Sequence, residues 1–186
     1  CMREGLGLVW LLEFLRSVVF YILLAFLFVT FFFRPMQISG TSMTPSLLDG
    51  DRVMINVINN LLQDPQRFDV VVVQHEEELW VKRVIGLPNE TIAYRDGALY
   101  VNGERMEEDF LDEAYMQETL DRLGIEQFNS DMKEITLGAD EYLLVGDNRP
   151  ESLDSRNSRV GAFSREDIIA NGVLVFWPLN EVRYIG

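Results

Sequence analysis

Residues 17–33 form an unbroken run of 17 side chains without a charge, in a chain of 186 residues. A bilayer accepts such a run only as a helix, whose backbone groups are satisfied internally. At about 1.5 Å per residue the run alone falls short of a hydrocarbon core of about 30 Å. Residues 8–15 lengthen it, with Glu13 and Arg16 three apart on one helical face. They can pair there, and Arg16 can reach the interface. The pattern predicts one spanning helix over about residues 7–33. A cleavable leader fits poorly, because the run ends in Phe31-Phe32-Phe33-Arg34-Pro35 without a small-x-small cleavage motif. Basic residues do not orient the helix: Arg3 and Arg16 on one side are matched by Arg34 and Arg52 on the other.

The remaining residues, 35–186, suffice for one domain with its own core but not for two. Residues 1–34 carry three Arg and two Glu, which leaves 13 basic and 28 acidic residues for this domain and a net charge of −15. That is a poor match for the electrostatics of a nucleic-acid binder. It suits a soluble domain that stays off anionic lipid. The single cysteine, Cys1, precedes Met2 and permits no internal disulfide, so it does not report a redox compartment. It reads as a fragment boundary; a lipid-bearing N-terminal cysteine is the alternative.

The domain reads as mainly β. Met36-Gln37-Ile38 alternates in polarity behind Pro35, as do Val53, Ile55 and Val57 with Met54 and Asn56. Residues 70–73, 79–86, 141–145 and 173–177 are further strand candidates. Asp96-Gly97 and Asn102-Gly103 are two-residue hairpin turns, and Ser164 with Asp167 forms a helical cap. Residues 104–134 differ, with 11 acidic and 3 basic side chains. This stretch is expected to be an inserted, solvated flap. A helix is predicted over 107–123, with Phe110 and Ala114, then Leu120 and Leu123, at helical spacing and Gly124 as its stop. Charge runs are ordinarily solvated faces, so the carboxylates call for no metal.

The chemistry is sought in Ser39-Gly40-Thr41-Ser42-Met43-Thr44-Pro45-Ser46-Leu47, a hydroxyl-rich loop shortly after the apolar run. A serine hydroxyl needs a base within hydrogen-bond reach. The chain has one histidine, His75, followed by Glu76-Glu77-Glu78 and read as an exposed loop residue. Lys82 is the stronger candidate, because its neighbours in Leu79-Trp80-Val81-Lys82-Arg83-Val84-Ile85-Gly86 are largely apolar and burial favours the neutral amine. In a strand Lys82 shares a face with Trp80 and Val84, while Val81 and Arg83 point oppositely. Serine and lysine together supply nucleophile and base.

A third block, Gly146-Asp147-Asn148-Arg149-Pro150-Glu151-Ser152-Leu153-Asp154-Ser155-Arg156, completes a pattern. The serine loop, the Lys82 strand and this block, in that order behind one anchor, resemble the type I signal peptidases. The resemblance covers the chain from the anchor to its end. It implies an antiparallel β-sheet peptidase domain behind one membrane helix, with the N-terminus cytoplasmic and the domain on the outer face of the cytoplasmic membrane. It implies Ser42 as nucleophile and Lys82 as general base, Ser152 orienting the amine, and Asp154 with Arg156 as a supporting ion pair. Asp147, Asn148 and Arg149 are expected to be architectural. Met36, Ile38, Ser39, Gly40, Met43, Trp80 and Val81 fall near the substrate pockets. The implied substrates are secretory preproteins, bound as an extended strand and cut after small-x-small sequences such as Ala-x-Ala. No cofactor is implied, and the partners are the preproteins and the lipid bilayer.

Two positions depart from the family. Some relatives carry a serine two residues before the nucleophile as an oxyanion donor, where this chain has Gly40. The Ser42 backbone N–H remains a candidate, with Ser39 or Thr41 as the possible second donor. Asn89-Glu90 replaces a frequent Gly-Asp, and asparagine tolerates the positive φ that such a turn demands. Two other readings compete. A self-cleaving Ser/Lys repressor would carry a DNA-binding element in place of the apolar run. A membrane-tethered peptide-binding homologue would lack the intact Ser42, Lys82 and Ser152.

Overall fold

The computed structural model describes residues 2–186, with side chains for all of these except 2–9, 28 and 30–32. Cys1, read above as a fragment boundary, lies outside the described residues. Two compact units emerge, Cys1–Arg34 and Pro35–Gly186. The first is helix α1 (Met2–Phe32). Its stretch Trp10–Leu27 has a mean hydropathy of 1.9, is nowhere buried, and is long and apolar enough to cross a membrane. Pro35, three residues on, lacks the N–H that would continue the helix.

The second unit is mainly strand. In chain order the elements are β1 (Phe33–Gln37), β2 (Arg52–Asn56), α2 (Val57–Leu62), β3 (Val70–His75) and β4 (Glu78–Gly86). Then follow β5 (Thr91–Arg95), β6 (Ala98–Val101), β7 (Glu104–Met106), α3 (Glu113–Leu123) and β8 (Met132–Thr136). The chain ends through β9 (Glu141–Val145), β10 (Phe163–Ser164), β11 (Ile168–Asn171), β12 (Val173–Trp177) and β13 (Arg183–Ile185). They build three sheets, ordered β1-β2-β12-β13, β10-β9-β4-β3-β11 and β7-β6-β5-β8.

The central sheet explains the uninterrupted valines of β3. Val70 and Val72 enter one hydrophobic cluster with Ile38, Met43, Leu47 and Val81, whereas Val71 and Val73 enter another with Val84, Leu144 and Phe163. A strand covered on both faces has no polar face to show. The β5–β6 and β6–β7 connections are tight because Asp96 (φ 51°) with Gly97 (φ 75°), and Asn102 (φ 52°) with Gly103 (φ 85°), adopt the left-handed backbone of a primed turn. Asn89 also has a positive φ, of 65°. Ser164 and Asp167 form the reciprocal cap of a single 3-10 turn.

Residues 104–134 differ from the predicted flap. Their first three residues pair with β6 and their last three lie in β8, so both ends belong to the third sheet. The helix starts at Glu113, not 107, because the Asp112 carboxylate accepts from the Tyr115 N–H and fixes the N-cap there. It stops at Gly124 in the left-handed conformation, as predicted. Helix α2 was not predicted: six residues are too short to show a helical period, and its signal is the Asn56 side chain capping the Asn59 N–H.

Candidate active site

The serine loop is pinned from beneath and from the side. Met43 and Leu47 are buried pegs in the core below it. The Gly40 N–H donates to Asp49 Oδ1 at 2.8 Å, with Gly40 at φ 95°, a conformation that favours glycine. From the third block the Asn148 N–H donates to the Ser42 carbonyl at 3.0 Å and Asn148 Nδ2 to the Thr41 carbonyl at 3.1 Å. Thus a segment 107 residues beyond Thr41 in sequence holds the Ser42 backbone.

Strand β4 delivers Lys82, which is 4% exposed. Its Nζ lies 2.7 Å from Ser42 Oγ and 3.5 Å from Ser152 Oγ. Burial strips water from the ammonium and lowers its pKa from the ordinary 10.5 to about 8; Asp154 and Asp147 oppose the shift, and Arg156 assists it. Two anions and one cation nearby therefore leave desolvation in control. The lysine amine is dry enough for a neutral fraction to be present near physiological pH.

Ser152 is brought to Lys82 by the turn that follows β9. Asp154 and Arg156 brace that turn through paired bonds of 2.8 Å, Nε to Oδ1 and Nη2 to Oδ2. Asp154 Oδ2 also accepts from the Gly146 N–H at 3.0 Å, and Arg156 Nη2 donates to the Arg149 carbonyl at 2.7 Å. Burial works against the Asp154 carboxylate, yet the bonds from Arg156, Ser152 and Gly146 hold it below the usual range.

Sequence reasoning assigned no role to Arg83. It is buried beside Lys82 but on the other face of β4, and donates twice to Asp147, at 2.8 and 2.7 Å. Asp147 also accepts from Ser46 Oγ at 2.5 Å, so Arg83 and Asp147 clamp the far end of the serine loop. A second charge within an otherwise apolar strand was the available signal, since buried charges require partners.

A cleft of about 70 Å³ opens beside Ser42, lined by Met36, Ile38, Ser39, Gly40, Met43 and Val81 among others. Leu79 also lines it. Trp80 lies elsewhere: its ring packs on His75 with centroids 4.2 Å apart, and Lys82 Nζ is 5.4 Å from its centre. His75 is 33 residues from Ser42 in sequence and sits against Trp80 and Phe163, with no hydrogen bond to the serine.

An alcohol touching a dehydrated amine, on a β scaffold with a small cleft of mixed polar and apolar lining alongside, has the parts that hydrolysis by a nucleophile with a lysine base requires. The family model described as "Signal peptidase, peptidase S26" matches residues 11–177. Signal peptidase I P of Bacillus subtilis subsp. natto is 35% identical over 176 residues, 94% of this chain and 93% of that one. Signal peptidase I S of Bacillus subtilis (strain 168) is 33% identical over 173 residues, 93% of this chain and 92% of its own. A solved signal peptidase I from Enterococcus faecalis V583 aligns with a TM-score of 0.49 and 31% identity, covering 59% of this chain and 97% of that one. This chain belongs to the type I signal peptidase family.

The close fit of the three segments makes Gly146 sensitive. A Cβ there would fall on Ser152 Oγ and the Ser42 carbonyl oxygen. Gly146→Ala is expected to cost about 1–3 kcal/mol of stability by overpacking and to lower preprotein cleavage at least about 10²-fold through displacement of the dyad. Urea denaturation and a cleavage assay on the same preparation measure the two effects.

Proposed function

We propose that this protein is a membrane-bound serine endopeptidase that removes signal peptides from exported preproteins, cutting after a small-x-small sequence. The carrying observation is the 2.7 Å contact between Ser42 Oγ and the amine of a buried Lys82. In this reading neutral Lys82 takes the Ser42 proton as Oγ attacks the scissile carbonyl carbon. The tetrahedral intermediate then expels the leaving amine, which receives the proton from the Lys82 ammonium. Water, deprotonated by the same amine, hydrolyses the acyl-serine and restores the enzyme. Ser152 keeps the amine aimed at Ser42, and Asp154 with Arg156 keeps Ser152 in place.

The developing oxyanion takes the Ser42 backbone N–H as one donor. Of the two remaining hydroxyls, Ser39 lines the cleft with Ser42 and is the better candidate for the second. The cleft beside Ser42 is much the smaller of the two cavities that Ser42 and Ser152 line, about 70 against 590 Å³, which supports a preference for small side chains on the acyl side. Met36, Ile38, Gly40, Met43 and Val81 shape the cleft. Trp80 acts through its contact with Lys82.

Residues 1–34 serve as a short cytoplasmic tip and transmembrane anchor, and residues 35–186 as the extracytoplasmic peptidase domain with the acidic stretch 104–134 inserted in it. The bilayer is a partner through the anchor; nucleic acid is not, given the charge of −15 on residues 35–186. The test is cleavage of a secretory preprotein in detergent by the wild type, Ser42→Ala and Ser152→Ala. Ser42→Ala is expected to abolish cleavage, and Ser152→Ala to lower kcat by about 10²-fold with KM little changed, the mark of a positioning residue. Equal rates for all three proteins overturn the assignment.

A further inference from the structure

A second cavity, of about 590 Å³, has Ser152 in its lining, with an apolar wall from Leu123, Ile125, Phe128 and Pro150 and a charged one from Asp154 and Arg156. Of these two cavities, Ser42 lines the small cleft and Ser152 the larger one. Lys82 Nζ links the two linings, 2.7 Å from the one hydroxyl and 3.5 Å from the other. This order has a directional consequence. A bound chain whose acyl side fills the small cleft puts its scissile carbonyl on Ser42. Its leaving nitrogen must then face Lys82, because that amine protonates it. The residues beyond, each advancing about 3.3 Å when extended, run past Ser152 into the larger cavity.

We infer that this cavity binds the first residues of the mature protein, just after the scissile bond, and favours an aliphatic or aromatic side chain among them. The inference rests on the peptidase reading and extends it to the other side of the cut. Leu123 and Ile125 form one wall, each 38% exposed, on either side of the left-handed Gly124 that ends α3. Phe128 is buried behind them with its ring edge-on to Tyr115, and Pro150 comes from the catalytic block itself. Half-covered apolar groups around a concavity gain when an apolar side chain completes their cover.

The wall is also held in register with the dyad. Arg122, in the last turn of α3, donates to Glu151 at 2.7 Å, one residue from Ser152. Asn129 Oδ1 accepts from Arg149 at 2.5 Å. The acidic insertion is thus tied at both edges of the cavity to the segment that aims Lys82, which suits a surface used during cleavage.

The test uses the full chain in detergent and preproteins identical up to the scissile bond. Serine occupies the first three positions after the bond, and each is replaced in turn by leucine. Leucine at one of the three is expected to raise kcat/KM about tenfold for the wild type. Leu123→Ser and Ile125→Ser should each cut that leucine-to-serine ratio to about threefold or less, the wall having lost part of its apolar area. Leu61→Ser, on an exposed position of α2 that lines neither cavity, should keep the wild-type ratio. Equal kcat/KM for every preprotein overturns the inference and leaves the peptidase reading standing, as does a ratio that survives both wall variants. Failure of the wild type to cut any preprotein overturns both.

Discussion

Lys82→Met is expected to lower preprotein cleavage by about 10³-fold or more, while the wild-type rate climbs with pH through about 8. A general base acts only in its neutral form, and its loss typically removes 10²–10⁴-fold, about 3–5 kcal/mol of transition-state stabilisation. With the Lys82 pKa lowered by burial to about 8, roughly a tenth of the enzyme carries a neutral amine at pH 7. The rising limb of the kcat/KM profile therefore belongs to Lys82 and should be absent from residual activity in Lys82→Met. A limb centred near 6 in the wild type would point to a different base.

The same shift has a thermodynamic face with a fixed sign. The ordinary lysine pKa is 10.5 and the folded value about 8, so between them the unfolded chain binds more protons than the folded one. Wild-type stability accordingly rises with pH across that window, and its contribution is lost as pH falls through about 8. At pH 7 the folded protein holds a mostly charged lysine in a dry site. Lys82→Met, similar in volume and without the charge, is expected to be about 1–3 kcal/mol more stable than wild type at pH 7, with the difference shrinking toward pH 10.5. Urea denaturation at several pH values reads it directly. Higher stability with lost activity is the signature of a group placed for chemistry at the expense of the fold.

Legibility in the sequence followed the range of the interaction. Asp96-Gly97 announces its turn because backbone preference and turn geometry lie within two residues. The face assigned to Lys82 follows from strand alternation, and the contact with Trp80 on the same face agrees with it. The Asp112 cap is equally local, yet the periodic match of Phe110 and Ala114 obscured it; in the fold Phe110 packs on Phe68 and under the Arg83 guanidinium instead of lying on a helix. Arg83 with Asp147, 64 residues apart, was beyond any spacing rule, since nothing in a strand's period names the partner of its buried charge. For the same reason residues 104–134 read as a solvated run although Glu108 is almost wholly buried. A carboxylate that faces water and one that faces a guanidinium are the same letter.

That carboxylate underlies the largest stability effect. Arg149→Met is expected to lower the folding free energy by about 3–5 kcal/mol, the usual result of removing one partner from a buried ion pair. The Arg149 side chain is wholly covered, and its guanidinium donates to Glu108 Oε1 at 2.6 Å, Asn129 Oδ1 at 2.5 Å, Tyr94 Oη at 2.9 Å and the Gly146 carbonyl at 3.1 Å. Burial opposes its charge, but Tyr94 and Glu108 more than compensate and push its pKa above the ordinary value. Methionine restores much of the volume and none of these bonds, leaving the Glu108 carboxylate with only the Tyr94 hydroxyl and the Asn129 amide as donors. The double variant Arg149→Met/Glu108→Leu removes both charges and is expected to recover to within about 1–2 kcal/mol of wild type. Urea midpoints at constant m separate the cases. A double variant no more stable than Arg149→Met would mean that lost packing, not a stranded charge, carries the penalty. Recovery of stability without recovery of cleavage would mean that Arg149 also aligns the Gly146 backbone on which Ser42 and Ser152 rest.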